Sequence, residues 1–98
     1  MLDNHTCSSE DIYSSYLQTI NAIRFSRREI DVVACLLKRR STKKIASILG
    51  MSPKTVATHL RNIMLKLEVN SRDSIIDFFE NSDRIEILTK YYEGLSGM

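Results

Sequence analysis

The chain has 98 residues but only two cysteines and two histidines, and that scarcity removes several kinds of chemistry at once. Cys7 and Cys35 share no metal-ligand spacing, and His59 has only His5 as a fellow histidine, so no metal site is expected. Cys35 sits in the apolar run Val32-Val33-Ala34-Cys35-Leu36-Leu37 and reads as a small core residue rather than a redox group. Cys7 lies in a polar leader and reads as a free thiol, so nothing asks for an oxidising compartment. No window approaches the roughly 18 apolar residues of a membrane span, and no secretory pattern opens the chain. A cytoplasmic location with no membrane partner is the expectation. There is no glycine-rich phosphate loop, no nucleophile elbow and no carboxylate pair beside a histidine on one helix face. No enzyme, cofactor or small-molecule ligand is expected within these residues. Period-two alternation and Asn-Gly or Asp-Gly turns are lacking too, which leaves little signal for strands.

What the chain does have is charge, unevenly spread. Residues 24–72 carry twelve Lys/Arg against three Asp/Glu, or +9, whereas residues 1–23 sum to −3 and residues 73–98 to −4, for a net charge of +2. A basic centre between acidic ends fits a nucleic-acid surface. Taken alone it also fits an ordinary solvated face.

Helical spacing recurs along most of the chain. Ser8 or Ser9 can cap a helix over 10–24 on which Tyr13, Leu17, Ile20 and Arg24 share a face. Ser26 and Glu29 form a capping-box pair, with Phe25 placed to staple onto Ile30, and Ile30, Val33, Ala34 and Leu37 line one side of the helix that follows. Ser41 or Thr42 caps a short helix whose Ile45, Ala46 and Leu49 face inward, and Gly50 ends it as a left-handed residue. Ser52 caps the next helix, with Pro53 at its first position. Val56, Leu60, Ile63 and Leu67 form its apolar stripe, and Lys54, Thr58, Arg61 and Leu65 lie opposite. A further helix from Ser71 carries Ile75, Ile76, Phe78 and Phe79 and breaks near Asn81-Ser82. A last helical segment, 83–92, ends before Gly94.

Two helices joined by a glycine turn over 41–67, with a small residue (Ala46) at the crossing, predict a helix-turn-helix whose second helix reads the major groove. A plain helical hairpin would have no reason to pair a sharp Ser-Pro start with a row of Lys, Thr and Arg.

The segments Phe25-Ser26-Arg27-Arg28-Glu29, Ile45-Ala46, Leu49-Gly50-Met51-Ser52-Pro53-Lys54-Thr55-Val56, His59, Asn62-Ile63, Lys66-Leu67 and Val69-Asn70-Ser71-Arg72 resemble the LuxR-type (GerE-like) DNA-binding domain. The match spans about residues 25–80. The resemblance implies an all-α, four-helix helix-turn-helix domain that dimerises through its fourth helix and regulates transcription from a pseudo-palindromic double-stranded DNA site, with RNA polymerase a candidate further partner. The chain then divides into a leader and amphipathic helix (1–24), the domain itself (25–80) and a C-terminal helical extension (81–98).

Lys54, Ala57, Thr58 and Arg61 resemble the family's base-reading set. Arg61 offers a fork to guanine, and Ala57 and the Thr58 methyl suit a thymine methyl. Thr42, Lys43, Ser52, Thr55 and Lys66 resemble phosphate contacts. His59 borders the apolar stripe and suits a packing or phosphate-orienting role more than one reading bases. Ile75, Ile76, Phe78 and Phe79 give the fourth helix apolar residues on two sides: one closes the core, and the other is expected to form the dimer seam unless the terminal helices cover it. Four positions depart from the family pattern. Arg39 and Glu68 stand where glycine is usual, Lys44 replaces a glutamate, and Leu65 replaces a basic residue. Only 24 residues precede Phe25, too few for a receiver or ligand-binding module of on the order of 100 residues. A stand-alone regulator or the effector end of a longer one is expected. The rival reading is an antagonist that heterodimerises with a larger LuxR-type regulator through residues 71–98.

Overall fold

A computed structural model describes residues 9–97; Cys7, His5 and the candidate cap Ser8 lie outside them. The order is α1 (Ser9–Ile12), a π-helical turn (Tyr13–Leu17), a two-stranded ladder β1 (Thr19–Ile20) and β2 (Ile23–Arg24), then α2 (Arg27–Leu37), α3 (Thr42–Leu49), α4 (Pro53–Leu67), α5 (Arg72–Glu80) and α6 (Ile85–Ser96). It is an all-α helix-turn-helix domain with additions at both ends.

Helix starts follow local chemistry. Ser26, Ser41, Ser52 and Ser71 each sit at an N-cap, and each accepts a hydrogen bond from the backbone N–H three residues on. Such a cap satisfies a first-turn donor that has no partner within the helix. Helix ends are equally regular. In α2, Arg40 N–H donates to Cys35 O and Arg39 N–H to Leu36 O. In α4, Val69 N–H donates to Met64 O and Glu68 N–H to Leu65 O. These are two Schellman terminations, each turning on a left-handed residue. Gly50 serves α3 in the same way at φ +66, but the residues at the other two turns are Arg39 (φ +60) and Glu68 (φ +58). The two departures from glycine therefore leave the helix ends intact and carry the steric cost of a side chain in the left-handed region.

The expectation of one helix over 10–24 is corrected. Helical structure stops at Leu17, and Thr19 and Ile20 pair with Arg24 and Ile23 across Asn21-Ala22. Both turn residues have positive φ, +52 and +68, as a tight two-residue hairpin needs. Asn-Ala is a weaker hairpin signal than Asn-Gly, so helical spacing won the reading. The reversal delivers Phe25 to the core, where its carbonyl accepts from the Tyr13 hydroxyl at 2.7 Å and its ring meets Phe79 at 5.4 Å. The last helix also differs: it begins at Ile85, runs through Gly94 and ends at Ser96, with Gly97 in the left-handed region.

Helix α2 is the axis of the fold. It packs against α3, α4, α5 and α6, and every residue from 29 to 36 is buried. The one-sided face expected from Ile30, Val33, Ala34 and Leu37 becomes burial all round. Cys35 is a free cysteine in this core, where burial, followed by the nearby Asp31 carboxylate, pushes its thiol up to about 11. It stays protonated and packs as an apolar residue. Among the described residues no helix is long and apolar enough to cross a membrane.

Replacing Glu68 with glycine relieves a left-handed side chain costing about 1–2 kcal/mol and returns part of that as chain entropy. The expected result is a gain of roughly 0.5–1 kcal/mol in chemical denaturation, with Glu68→Ala near neutral. An equal gain in both variants would make the carboxylate, not the backbone, responsible.

Candidate nucleic-acid interface

Helix α4 is two-faced. Val56, Leu60 and Ile63 are buried and Leu67 is half-buried, while Lys54, Ala57, Thr58, Arg61 and Leu65 are exposed. Spacings of three and four residues put the exposed five on one side of the helix. All four expected base-reading residues therefore share a solvent face. The Thr58 hydroxyl donates back to Lys54 O at 3.1 Å, which takes it up within its own helix and favours the methyl as the group offered outward. Leu65, the fourth departure, is 70% exposed at the far end of the same face.

The helix N-termini add backbone donors. The Ser52 side chain accepts from Thr55 N–H at 3.1 Å, and the two hydroxyls bond to each other at 2.9 Å. Pro53 fills the first position of α4, where its missing N–H removes only a donor without a helical acceptor. At α3 the Ser41 hydroxyl accepts from Lys44 N–H, and Lys43 and Lys44 are exposed beside it. The first-turn amides and the dipole at each end favour an anion. Thr42 is half-buried and its hydroxyl accepts from Arg72 at 3.1 Å. His59 is half-buried at the border of the two faces.

Lys66 is a different case. Its ammonium donates to Glu29 Oε1 at 2.6 Å and to Arg24 O at 3.0 Å, and it lies 5.6 Å from the centre of the Phe25 ring. Glu29 is 5% exposed, so its carboxylate needs a cation inside the protein. Lys66, expected as a phosphate contact, is engaged within the protein although its side chain is open to solvent: it ties the end of α4 to the start of α2. A basic residue late in a recognition helix suggests phosphate, and nothing local points to a carboxylate 37 positions away.

The four residues expected at the dimer seam are placed unequally. Ile75, Ile76 and Phe79 are buried within the protomer, on a helix packed against α2 and α4, and of the four only Phe78 stays partly exposed. The outward residues of α5 are instead Asp73, Asp77 and Glu80.

Arg28 escaped the sequence reading as a functional element. It donates to Asp31 Oδ2 at 2.9 Å and to Leu49 O, the last carbonyl of α3, at 3.3 Å. A cation at a helix C-terminus both bonds a free carbonyl and opposes the dipole. Lys43, Lys44, Lys54 and Arg61 have no intramolecular partner for their charges among the described residues. Among those same residues no three His, Cys, Asp or Glu side chains converge as a metal site.

The profile described as bacterial regulatory proteins, luxR family, matches residues 24–79. The nitrate/nitrite response regulator protein NarP of Escherichia coli (strain K12) is 47% identical over 47 residues, covering 48% of this chain and 22% of NarP. The spore germination protein GerE of Bacillus subtilis (strain 168) is 41% identical over 51 residues, covering 52% of this chain and 69% of GerE. An uncharacterized transcriptional regulatory protein of Bacillus subtilis (strain 168), YhcZ, is 45% identical over 49 residues, 50% of this chain and 23% of YhcZ. The chain thus spans under a quarter of NarP and YhcZ. No solved structure gives a significant match.

Lys66→Met strands a buried carboxylate and is expected to cost about 1–3 kcal/mol of stability. The salt dependence of duplex binding should not change with it. A variant with wild-type melting behaviour and a shallower salt slope would restore Lys66 to the phosphate contacts.

Proposed function

We propose that this chain, which belongs to the luxR family of bacterial regulatory proteins, binds double-stranded DNA with α4 in the major groove and so regulates transcription. The observation that carries this reading is the exposed face of α4. Lys54 and Arg61 stand there without partners among the described residues, although other basic residues of the same region, such as Arg28 and Lys66, are bonded within the protein. A stable hairpin would gain nothing from leaving cations and small side chains aligned on one bare stripe. A major groove is wide enough for a helix and offers donors, acceptors and thymine methyls to such a row. The capped N-termini of α3 and α4, with Lys43 and Lys44, suit the flanking phosphates.

The finer proposal is a homodimer on a pseudo-palindromic site, as paired helix-turn-helix units use. With Ile75, Ile76 and Phe79 committed to the protomer, pairing through α5 would rest on Phe78 and would bring Asp73, Asp77 and Glu80 against their own copies. Like charges repel, and salt screens them. Dimerisation through α5 is therefore expected to tighten with added salt while DNA binding weakens; sedimentation at two ionic strengths would show the first sign, and a dimer that loosens with salt would exclude this seam.

Selection from a randomised duplex pool tests the main reading. A two-fold motif should be enriched, and affinity for it should fall with salt at a slope of roughly −2 per protomer for the two phosphate-facing cations, Lys43 and Lys44, not the roughly −11 that twelve would give. Arg61→Ala should relax preference at one base pair per half-site, at a cost of about 1–3 kcal/mol. No enriched motif, together with tight binding to a larger LuxR-type regulator, would favour an antagonist instead.

A further inference from the structure

Helix α6 lies outside residues 24–79, the part matched by the family profile, yet consecutive tyrosines on it reach toward both ends of α3. Tyr91 is fully buried and its hydroxyl donates to Asp31 Oδ1 at 2.5 Å. The other oxygen of that carboxylate accepts from Arg28, whose guanidinium also holds Leu49 O at the C-terminal end of α3. Tyr92 is 5% exposed; its hydroxyl accepts from Arg40 Nε at 3.0 Å, and the Arg40 guanidinium lies 5.8 Å from its ring centre. Arg40 directly precedes Ser41, the N-cap of α3. Its carbonyl accepts from Arg72, which also donates to Thr42 in the first turn of α3.

A helix that only covered a core would have no use for two buried hydroxyls, since each needs a partner when water is excluded. Here one hydroxyl accepts from Arg40, next to the start of α3, and the other bonds Asp31 and Arg27 of α2 and reaches the end of α3 through Arg28. That helix has eight residues, too few to hold a fixed shape without tertiary support. It packs against both α4 and α6, so how firmly it is held bears on how α4 is presented.

We propose that α6 is a positioning element of the DNA-binding unit, with Tyr91 and Tyr92 securing the two ends of the scaffold helix α3. The proposal rests on the reading of α4 as the DNA-contacting helix. Neither tyrosine touches DNA; each acts through Arg28 or Arg40.

The test uses the full chain with Tyr91→Phe and Tyr92→Phe, measured at a temperature where circular dichroism shows each variant fully folded. Each is expected to lose about three- to tenfold in affinity for the selected duplex while binding to an unrelated duplex stays unchanged, because phosphate contacts tolerate a small change of angle that base contacts do not. Loss of stability alone would leave the affinity of the folded protein untouched. Amide exchange at Gly50 and Met51, whose N–H groups bond Ala46 O, should quicken in Tyr91→Phe relative to the α5 amides. Arg40→Lys keeps the charge but loses the Nε donor; it should match Tyr92→Phe, with no further loss in the double variant, and it serves in place of Tyr92→Phe if that variant fails to fold, as Arg28→Lys does for Tyr91→Phe. Wild-type affinity in the folded variants overturns the proposal. If the wild-type chain binds no duplex at all, the DNA reading fails instead; the exchange experiment then decides, and unchanged exchange at the turn overturns the positioning role.

Discussion

Helix α2 has no solvent side along residues 29–36, and two of those eight residues are acids. Burying a carboxylate without a partner costs several kcal/mol, so Glu29 and Asp31 each have to draw a hydrogen-bond donor or a cation from another part of the chain. Glu29 takes the Ser26 amide and the Lys66 ammonium. Asp31 takes the Arg28 guanidinium and the Tyr91 hydroxyl. Those four partners connect the start of α2, the end of α4, the end of α3 and the middle of α6. The polar architecture of the domain follows from placing two charges on a helix that is surrounded. Burial, followed by the bond to Asp31, holds the Tyr91 hydroxyl protonated far above the usual tyrosine range, so this link does not titrate in the physiological range.

What the sequence made legible was local. A serine three residues ahead of the amide it caps, a glycine at a helix end and a stripe at helical spacing all act within one or two turns. The capping box at Ser26 and Glu29, the caps at Ser41, Ser52 and Ser71, and the two faces of α4 could therefore be read from neighbouring residues. What it hid was set by partners far away in the chain. Lys66 looked like a surface cation because Glu29 is remote, and α5 looked too apolar because its neighbours on two sides were not visible. The hairpin at Asn21-Ala22 was hidden for another reason: its turn depends on positive φ in residues that carry side chains, and the apolar residues around it also suit a helix.

The left-handed residues show the same tension between local preference and global demand. Arg39 and Glu68 occupy conformations that glycine adopts freely, yet the Schellman bonds around them are formed. The helices they end are held from outside: α2 by the helices packed around it and the end of α4 by the bond from Lys66 to Glu29. Arg39 also meets Glu80 at 3.7 Å, an exposed pair too weak by itself to offset a strained backbone. Tertiary packing therefore fixes where these helices stop, and the residue at the turn only changes the cost.

The same sorting bears on the basic centre of the chain. Twelve Lys and Arg within residues 24–72 look like one undivided patch in the sequence, but the fold separates eight of them by task. Arg28, Arg40, Lys66 and Arg72 bond to carboxylates, carbonyls or hydroxyls inside the protein; Lys43, Lys44, Lys54 and Arg61 stay unengaged on α3 and α4. Cations of the first group hold α3 and α4 in place, and those of the second stay open to solvent. A helix whose cations were all neutralised internally would present no field to DNA, and one with none so engaged would leave Glu29 and Asp31 uncompensated in the core. Division of one charge pool between these two tasks is what lets so small a domain carry both a buried polar frame and a bare basic face.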